Sequence, residues 1–297
     1  MKHKKKGSIS WRQKVFPYVM IAPNMVIFSI FVIIPAICGL YYSLHEWKGI
    51  GTPKFIGLEN YLTAFSDTRF WESMLRTTLY ALISLPLIII IPLLLALLMV
   101  QQIPGKGFFR AAIYWPSMIS YIVAGVAFKF LFSDASGIIN YILLLFGGGK
   151  VEWLTNRYNA FAVVILASVW SLSGYYMVMF MSGLQSIPLS YYEAAKTDGA
   201  TALQRFFRIT LPLMKPTIFL VLILGLLNLF KAYGLVISLT GGGPGNSTKF
   251  VVQYIYERAF SDYNMGYACT LSVILMVILG VFTVIQYKGS NGGGMID

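Results

Sequence analysis

Residues 187–212 read IPLSYYEAAKTDGATALQRFFRITLP, a mostly polar stretch set between two long apolar runs. Residues 185–213 separate those runs, far more than the handful that commonly joins neighbouring helices. Ser190 and Glu193 stand at the S-x-x-E spacing of a capping box, in which each side chain satisfies an orphan backbone N–H. Tyr191 to Asp198 can then form two helical turns, and Gly199 supplies the left-handed residue that stops them. Thr201 to Ile209 is a second amphipathic stretch, with Phe206 and Phe207 available for packing. Pro212 and Pro216 reset the chain where the next apolar run begins. The segment therefore predicts two short helices meeting at a bend. Such a bracket suits a cleft on a soluble partner; the other reading is a helix pair that packs beneath its own bundle.

Working outward, the 297 residues are 57% hydrophobic and only 11% charged, with a mean hydropathy of +0.71. A soluble domain of this length is nearer one half apolar and one quarter charged, so lipid must solvate most of the chain. The net charge of +12 does not point to nucleic acid, because the basic residues sit in the gaps between apolar runs. That placement is a membrane-topology signal. Six segments, about 17–44, 77–100, 110–132, 160–184, 214–239 and 267–287, are long enough to cross a hydrocarbon core, which takes roughly 20 apolar residues. Backbone in lipid must satisfy its own hydrogen bonds, so these are helices. The fold class is an all-α membrane protein with six transmembrane helices. Ile138 to Phe146, between Gly137 and Gly147, is too short to span and belongs at an interface or against helix ends.

The chain divides into a basic N-terminus (1–16), a six-span domain (17–288) carrying the 187–213 segment, and a Gly-rich tail (289–297) read as a flexible end. Lys2-His3-Lys4-Lys5-Lys6 has the character of a signal peptide's basic end, but the uncharged run from Val15 to Leu44 exceeds a signal core and reads as an uncleaved first span. Cys38 and Cys269 lie inside apolar runs and offer neither a disulfide framework nor metal-ligand spacing.

Charge sets the orientation. With the N-terminus inside, the inner segments hold Lys2, Lys4, Lys5, Lys6, Arg12, Lys14, Lys106, Arg110, Lys196, Arg205, Arg208, Lys215 and Lys288, thirteen basic residues against eight outside. Basic charge in short loops decides topology, so both termini are expected in the cytoplasm of a multi-pass cell-membrane protein. Residues 187–213 then face the cytoplasm, while 45–76, 133–159 and 240–266 face outward.

Glu193-Ala194-Ala195, Asp198-Gly199-Ala200, Phe206, Ile209, Leu211-Pro212 and Pro216 closely resemble the EAA motif of binding-protein-dependent ABC importer permeases. Gly107-Phe108-Phe109-Arg110 with Pro116, and Leu239 to Pro244 with Ser247-Thr248 and Tyr254-Ile255-Tyr256, are similar to the carbohydrate-uptake branch, on the side related to the first maltose-permease subunit and to multiple-sugar or raffinose-type permeases. The chain departs from that subunit in lacking a large external insertion. The resemblance implies a bacterial or archaeal cell-membrane protein of the type I importer permease fold. Glu193, Ala194, Ala195, Asp198, Gly199, Ala200, Phe206, Ile209 and Pro212 would then seat in a groove of an ATPase subunit. The implied partners are a second homologous permease, two ATPases that carry ATP and magnesium, and an extracytoplasmic sugar-binding protein.

No G-x-x-x-x-G-K-[ST] occurs; Lys150 follows three glycines but precedes Val151. Without a phosphate-cradling loop the chain is not expected to hydrolyse ATP, to carry a cofactor or to be an enzyme. His3 and His45 lie in separate compartments, and no catalytic or metal-binding constellation is present. A sugar path needs hydrogen-bonding groups and flat apolar faces. Ser168, Ser171 and Tyr175 share a helical face at i, i+3 and i+7, with Gly174 leaving room, and Asn228 and Lys231 lie three apart in the fifth span. Intramembrane ionisable groups are functional candidates by default. Serines and glycines also mediate plain helix packing, Tyr175 can be ordinary packing, and Lys231 can snorkel to the interface; these readings stay open. A neutral mono- or oligosaccharide is the preferred cargo. Glycerol phosphate or another small solute is the alternative, and a self-sufficient secondary transporter is disfavoured because none of the acidic residues lies in a span core.

Overall fold

The computed structural model describes residues 11–289. The expected features of residues 1–10 and of the tail from 290 onward lie outside them. In chain order the helices are α1 (Trp11–Phe28), α2 (Ile34–Ser43), α3 (Glu59–Ser66), α4 (Thr68–Val100), α5 (Lys106–Tyr114), α6 (Tyr121–Leu131), α7 (Ile138–Leu145), α8 (Arg157–Gln185), α9 (Leu189–Thr197), α10 (Ala202–Arg205), α11 (Leu211–Leu213), α12 (Lys215–Phe230), α13 (Gly234–Leu239), α14 (Val251–Tyr256) and α15 (Met265–Gly289). Two-residue strands β1 (His45–Glu46) and β2 (Lys54–Phe55) pair antiparallel. Four helical stretches, Val15–Ser43, Thr68–Val100, Arg157–Gln185 and Met265–Gly289, are long and apolar enough to cross a membrane. Two bent pairs raise the number to six if each counts as one span.

Two of the expected continuous spans are broken, for local reasons. In the stretch read as 110–132, α5 continues through a 3₁₀ turn, Trp115–Met118, and Ile119 and Ser120 then run extended before α6, a bend of 100°. Pro116 suits the start of the 3₁₀ turn because its missing N–H is needed by no bond there. In the stretch read as 214–239, α12 stops at Phe230, Lys231 to Tyr233 leave helical geometry, and α13 resumes at Gly234. The segment Ala202–Leu213 meets α12 at 64°. The π turns at Ser29–Ile33 and Phe206–Thr210 each end two residues before a proline, Pro35 and Pro212. Proline cannot make the i→i−4 bond and crowds the carbonyl four residues back, and a wider turn accommodates that.

The helix α4 begins nine residues before the expected start at 77. Asp67 caps it, its Oδ1 accepting from the N–H groups of Arg69 (3.1 Å) and Phe70 (3.2 Å), and Glu72 pairs with Arg76 at 2.8 Å one turn on. At 33 residues the helix is about 50 Å long, well beyond a core of roughly 30 Å, so its polar first turns extend past the apolar zone. It runs through both Pro86 and Pro92.

The chain divides after Ser66, Glu257 and Leu275 into two compact units. In the unit built from the N-terminal part and 258–275, Gly266 donates to the Trp47 carbonyl at 2.9 Å and Thr270 Oγ1 to the Ser43 carbonyl at 2.9 Å. Every residue from Phe16 to Phe28 is exposed, a surface suited to lipid rather than water.

In the other unit α8 is the most enclosed span, packed on α4 and on the 3₁₀ turn. Gly174 permits the second approach: a Cβ there would strike the Ile113 carbonyl and lie 2.6 Å from Tyr114 Cα. Tyr80 of α4 packs 4.6 Å from the Phe250 ring, with Phe161 edge-on to both. The loop from 133 to 156 is organised by Asp134, whose carboxylate accepts from the N–H groups of Trp153 (2.5 Å), Leu154 (3.0 Å) and Thr155 (3.1 Å) and from Thr155 Oγ1 (2.7 Å). Burial opposes ionisation of Asp134, but these bonds outweigh it and hold its carboxyl below the usual range. Asn140 on α7 completes the loop by bonding both backbone groups of Val151.

Candidate functional site

Two helix breaks meet to form a polar cavity. One is the extended Ile119–Ser120 link before α6, the other the Lys231–Tyr233 interruption between α12 and α13. The helices α6 and α13 pack closely because Gly125 has no side chain: a Cβ there would collide with Ser238 Oγ and lie 2.6 Å from the Leu235 carbonyl. The cavity's volume is about 110 Å³, it is partly open, and its polar lining residues are Tyr80, Tyr121, Ser168, Asn228, Lys231 and Tyr233.

Three of the five path residues read from the sequence, Ser168, Asn228 and Lys231, come together here. Ser168 accepts from the Tyr80 hydroxyl at 2.6 Å and donates to the Val164 carbonyl at 2.8 Å. Asn228 Nδ2 donates to the Tyr176 hydroxyl at 2.9 Å, which leaves Oδ1 available. Ser171 and Tyr175 are not in the lining. Ser171 is buried, its hydroxyl without a hydrogen-bond partner among the described residues. Tyr175 is 42% exposed and its backbone N–H donates to Ser117 Oγ at 3.0 Å.

Lys231 is exposed to the cavity at the C-cap of α12, about 24 Å along that helix from Lys215. A charge at such depth costs several kcal/mol unless it meets water or a partner, and the cavity supplies the polar surroundings. Tyr80, Tyr121 and Tyr233 join the lining although sequence reasoning does not single them out. A signal for Tyr80 is present: Ser73, Thr77, Tyr80 and Ser84 recur every three or four residues along α4, and all four are buried, which marks one polar stripe facing protein rather than lipid.

The cavity has room for only a few water molecules at about 30 Å³ each, and it falls short of the roughly 300 Å³ at which ligand pockets begin. Asn228, Lys231 and Tyr121 remain exposed, so the chain alone does not enclose a sugar. A wider polar cleft of about 540 Å³ lies among the loops, between Arg76, Arg157, Glu152 and Ser247.

The second site is the bracket after α8. The expected Ser190–Glu193 capping box does not form: α9 starts at Leu189 with Pro188 at the cap, so Ser190 already lies inside the first turn. The box is found one helix later, where Thr201 N–H donates to Gln204 Oε1 at 2.9 Å and Gln204 N–H to Thr201 Oγ1 at 3.3 Å. Gly199 has the expected left-handed backbone, φ +75°. Around it the N–H groups of Gly199 and Ala200 donate to the carbonyls of Lys196 (3.1 Å) and Ala195 (2.9 Å), the pair of bonds that defines a Schellman stop. Tyr192 and Thr210 meet through their hydroxyls at 3.0 Å and tie the two limbs together. Glu193, Ala194, Asp198, Gly199 and Pro212 are exposed; Ala195, Ala200, Phe206 and Ile209 are half-buried. Leu189, Tyr191, Leu203 and Phe207 are also exposed, each by more than half. The bracket therefore presents apolar groups beside charges of both signs, Glu193 and Asp198 with Lys196 and Arg208, on a surface that the chain itself leaves uncovered.

Residues 60–287 match the family described as the binding-protein-dependent transport system inner membrane component. The chain belongs to this family. Among similar proteins is a probable starch degradation products transport system permease protein, AmyD, of Thermoanaerobacterium thermosulfurigenes, 34% identical over 276 residues, which are 93% of this chain and 94% of that protein. The trehalose/maltose transport system permease protein MalF of Thermococcus litoralis is 32% identical over 286 residues, 95% of this chain and 96% of the relative. A solved bacterial alginate ABC transporter, in complex with an alginate pentasaccharide-bound periplasmic protein, contains a chain with a TM-score of 0.80 and 25% identity, covering 95% of this chain and 97% of its own. The permease is thus a mostly helical membrane component of a transport system.

Proposed function

We propose that this permease and a second, homologous permease form the membrane path of an ATP-driven importer for a sugar of oligosaccharide size, delivered by an extracytoplasmic binding protein. The uncovered bracket carries the reading: Glu193, Ala194, Ala195, Asp198, Gly199, Ala200, Phe206, Ile209 and Pro212 lie on or beside the exposed surface of 189–213. A surface of exposed Leu189, Tyr191, Leu203 and Phe207 is costly in water and suited to a partner's groove. That partner is one of two ATPase subunits, which hold ATP and magnesium; the permease itself is not the enzyme. Closure of the ATPases pushes the bracket, and the bend at Met214 passes the push to α12, whose far end carries Asn228 and Lys231.

The path residues are Ser168, Asn228 and Lys231 with the cavity tyrosines, and Ser171 and Tyr175 lie on the same helix outside the cavity. The missing cavity wall is supplied by the second permease, since Asn228, Lys231 and Tyr121 stay exposed in the single chain. Both termini lie in the cytoplasm in this reading, which the excess of basic residues in the segments on that side favours. The domain is the six-span body 17–288, with 1–16 and 289–297 as appended ends. The sugar relatives support the cargo class.

The test is to replace Glu193 and Gly199 by alanine and arginine respectively in the whole importer. The expected result is loss of ATPase subunits from the purified assembly and loss of sugar uptake. Unchanged ATPase association together with unchanged uptake would remove the docking assignment.

A further inference from the structure

We infer that the cargo is a sugar bearing an anionic group, a carboxylate or a phosphate ester, and that Lys231 receives that group. The inference rests on the path assignment above and deepens it. No carboxylate lines the cavity, and among the described residues no hydrogen bond or ion pair engages the Lys231 ammonium. The contrast with Lys249 is informative, because that lysine is held by Glu257 at 2.9 Å. The C-terminus of α12 does not neutralise Lys231 either. A helix end offers about half a charge, and two of its last four carbonyls are engaged: Leu227 accepts from the Lys231 N–H and Leu229 from the Ala232 N–H, each at 3.2 Å.

The rest of the lining can donate to an anion and carries no charge to oppose one. Tyr121 and Tyr233 present hydroxyls with no protein partner among the described residues, and Lys231 can only donate. Tyr80 and Ser168 are spent on each other and on Val164. One hydrogen of the Asn228 amide goes to Tyr176, and Asn228 Oδ1 is left free to accept. A neutral sugar offers the Lys231 ammonium only hydroxyl dipoles, whereas an anionic one offers it a full counter-charge. An oxyanion only accepts, and an ammonium flanked by two phenols matches it.

The experiment uses cells carrying the whole importer, offered three labelled panels. The first holds neutral malto-, xylo-, arabino- and galacto-oligosaccharides, the second oligouronates, the third phosphate esters of mono- and disaccharides. The expected result is uptake from the second or the third panel and none from the first; which of the two responds identifies the oxyanion. Lys231→Gln then raises the KM for that substrate by about ten-fold or more, the scale of a lost charge-assisted hydrogen bond, while Lys231→Arg stays within about three-fold. Uptake from the neutral panel overturns the inference and leaves sugar import intact. Anionic uptake indifferent to Lys231→Gln also overturns it. Uptake from no panel overturns the proposed sugar import itself.

Discussion

Tyr80 donates its hydroxyl hydrogen to Ser168 Oγ across 2.6 Å and so joins α4 to α8, two of the helices long and apolar enough to cross a membrane. Both residues are buried, and the Tyr80 ring is already packed against Phe250. Tyr80→Phe therefore keeps the packing and removes one bond. The cost is about 0.5–1.5 kcal/mol, toward the low end because interhelical bonds in membranes average near 0.6 kcal/mol. Ser168→Ala loses the same bond together with its local donation to Val164. In a double-mutant cycle on the unfolding of the purified protein, the two losses combine to less than their sum. Fully additive losses would mean that the bond contributes nothing to holding the helices together.

Gly199 sits at φ +75°, and a Cβ there would find no heavy atom within 4 Å, so a side chain meets strain but no clash. Gly199→Ala is expected to cost about 1 kcal/mol at the end of α9, and Gly199→Asn less, because Asn tolerates the left-handed region better. The order of damage in ligand-stimulated ATPase activity of the assembled importer should follow backbone strain, Ala worse than Asn. Equal effects would assign the role of Gly199 to contact with the partner instead.

The sequence made some of this legible for reasons that are local. Gly199 is a punctuation residue, and the polarity of Asn228 and Lys231 within an apolar run marks them without any knowledge of neighbours. The helix breaks are different. Met118, Ile119 and Ser120 carry no charge, so hydropathy passes over a 100° bend that Pro116 alone announces. The Ser190–Glu193 spacing is a valid capping pattern, yet Pro188 takes the cap and the box forms at Thr201–Gln204. Tyr80 and Ser168 stand 88 residues apart, and nothing in a single sequence pairs them. Tyr121 and Tyr233 look like packing aromatics until the two breaks bring them to one cavity.

Asp134 gives the 133–156 loop a pH dependence of defined sign. Burial alone would raise its carboxyl, but hydrogen bonds from Leu154, Thr155 and Trp153 exceed that effect and hold it below the ordinary value of 3.8. A group depressed in the folded state contributes stability that is full above its unfolded pKa and is lost as pH falls through the folded one. The loop is thus expected to hold at neutral pH and to loosen below about pH 4. Hydrogen exchange at the amides of Trp153, Leu154 and Thr155, corrected for intrinsic rates, should show protection falling over that range. Asp134→Asn should show weaker protection at neutral pH and no such step.

Gly125 is where the cavity is most exposed to a single change. A methyl group there would strike Ser238 Oγ and approach the Leu235 carbonyl to 2.6 Å. Backbone cannot yield as a flexible side chain does, so α13 must move away from α6. Overpacking of this kind costs about 1–3 kcal/mol, and the displaced element is the one that follows Lys231 and carries Gly234 and Leu235 of the cavity wall. Gly125→Ala should therefore impair uptake while leaving the bracket and its ATPase association unaffected, because residues 189–213 take no part in that contact. Pairing it with Ser238→Ala removes the hydroxyl clash but not the carbonyl contact, and should restore uptake only in part. Full uptake in Gly125→Ala alone would show that the α6–α13 junction has slack and that cavity shape does not depend on it.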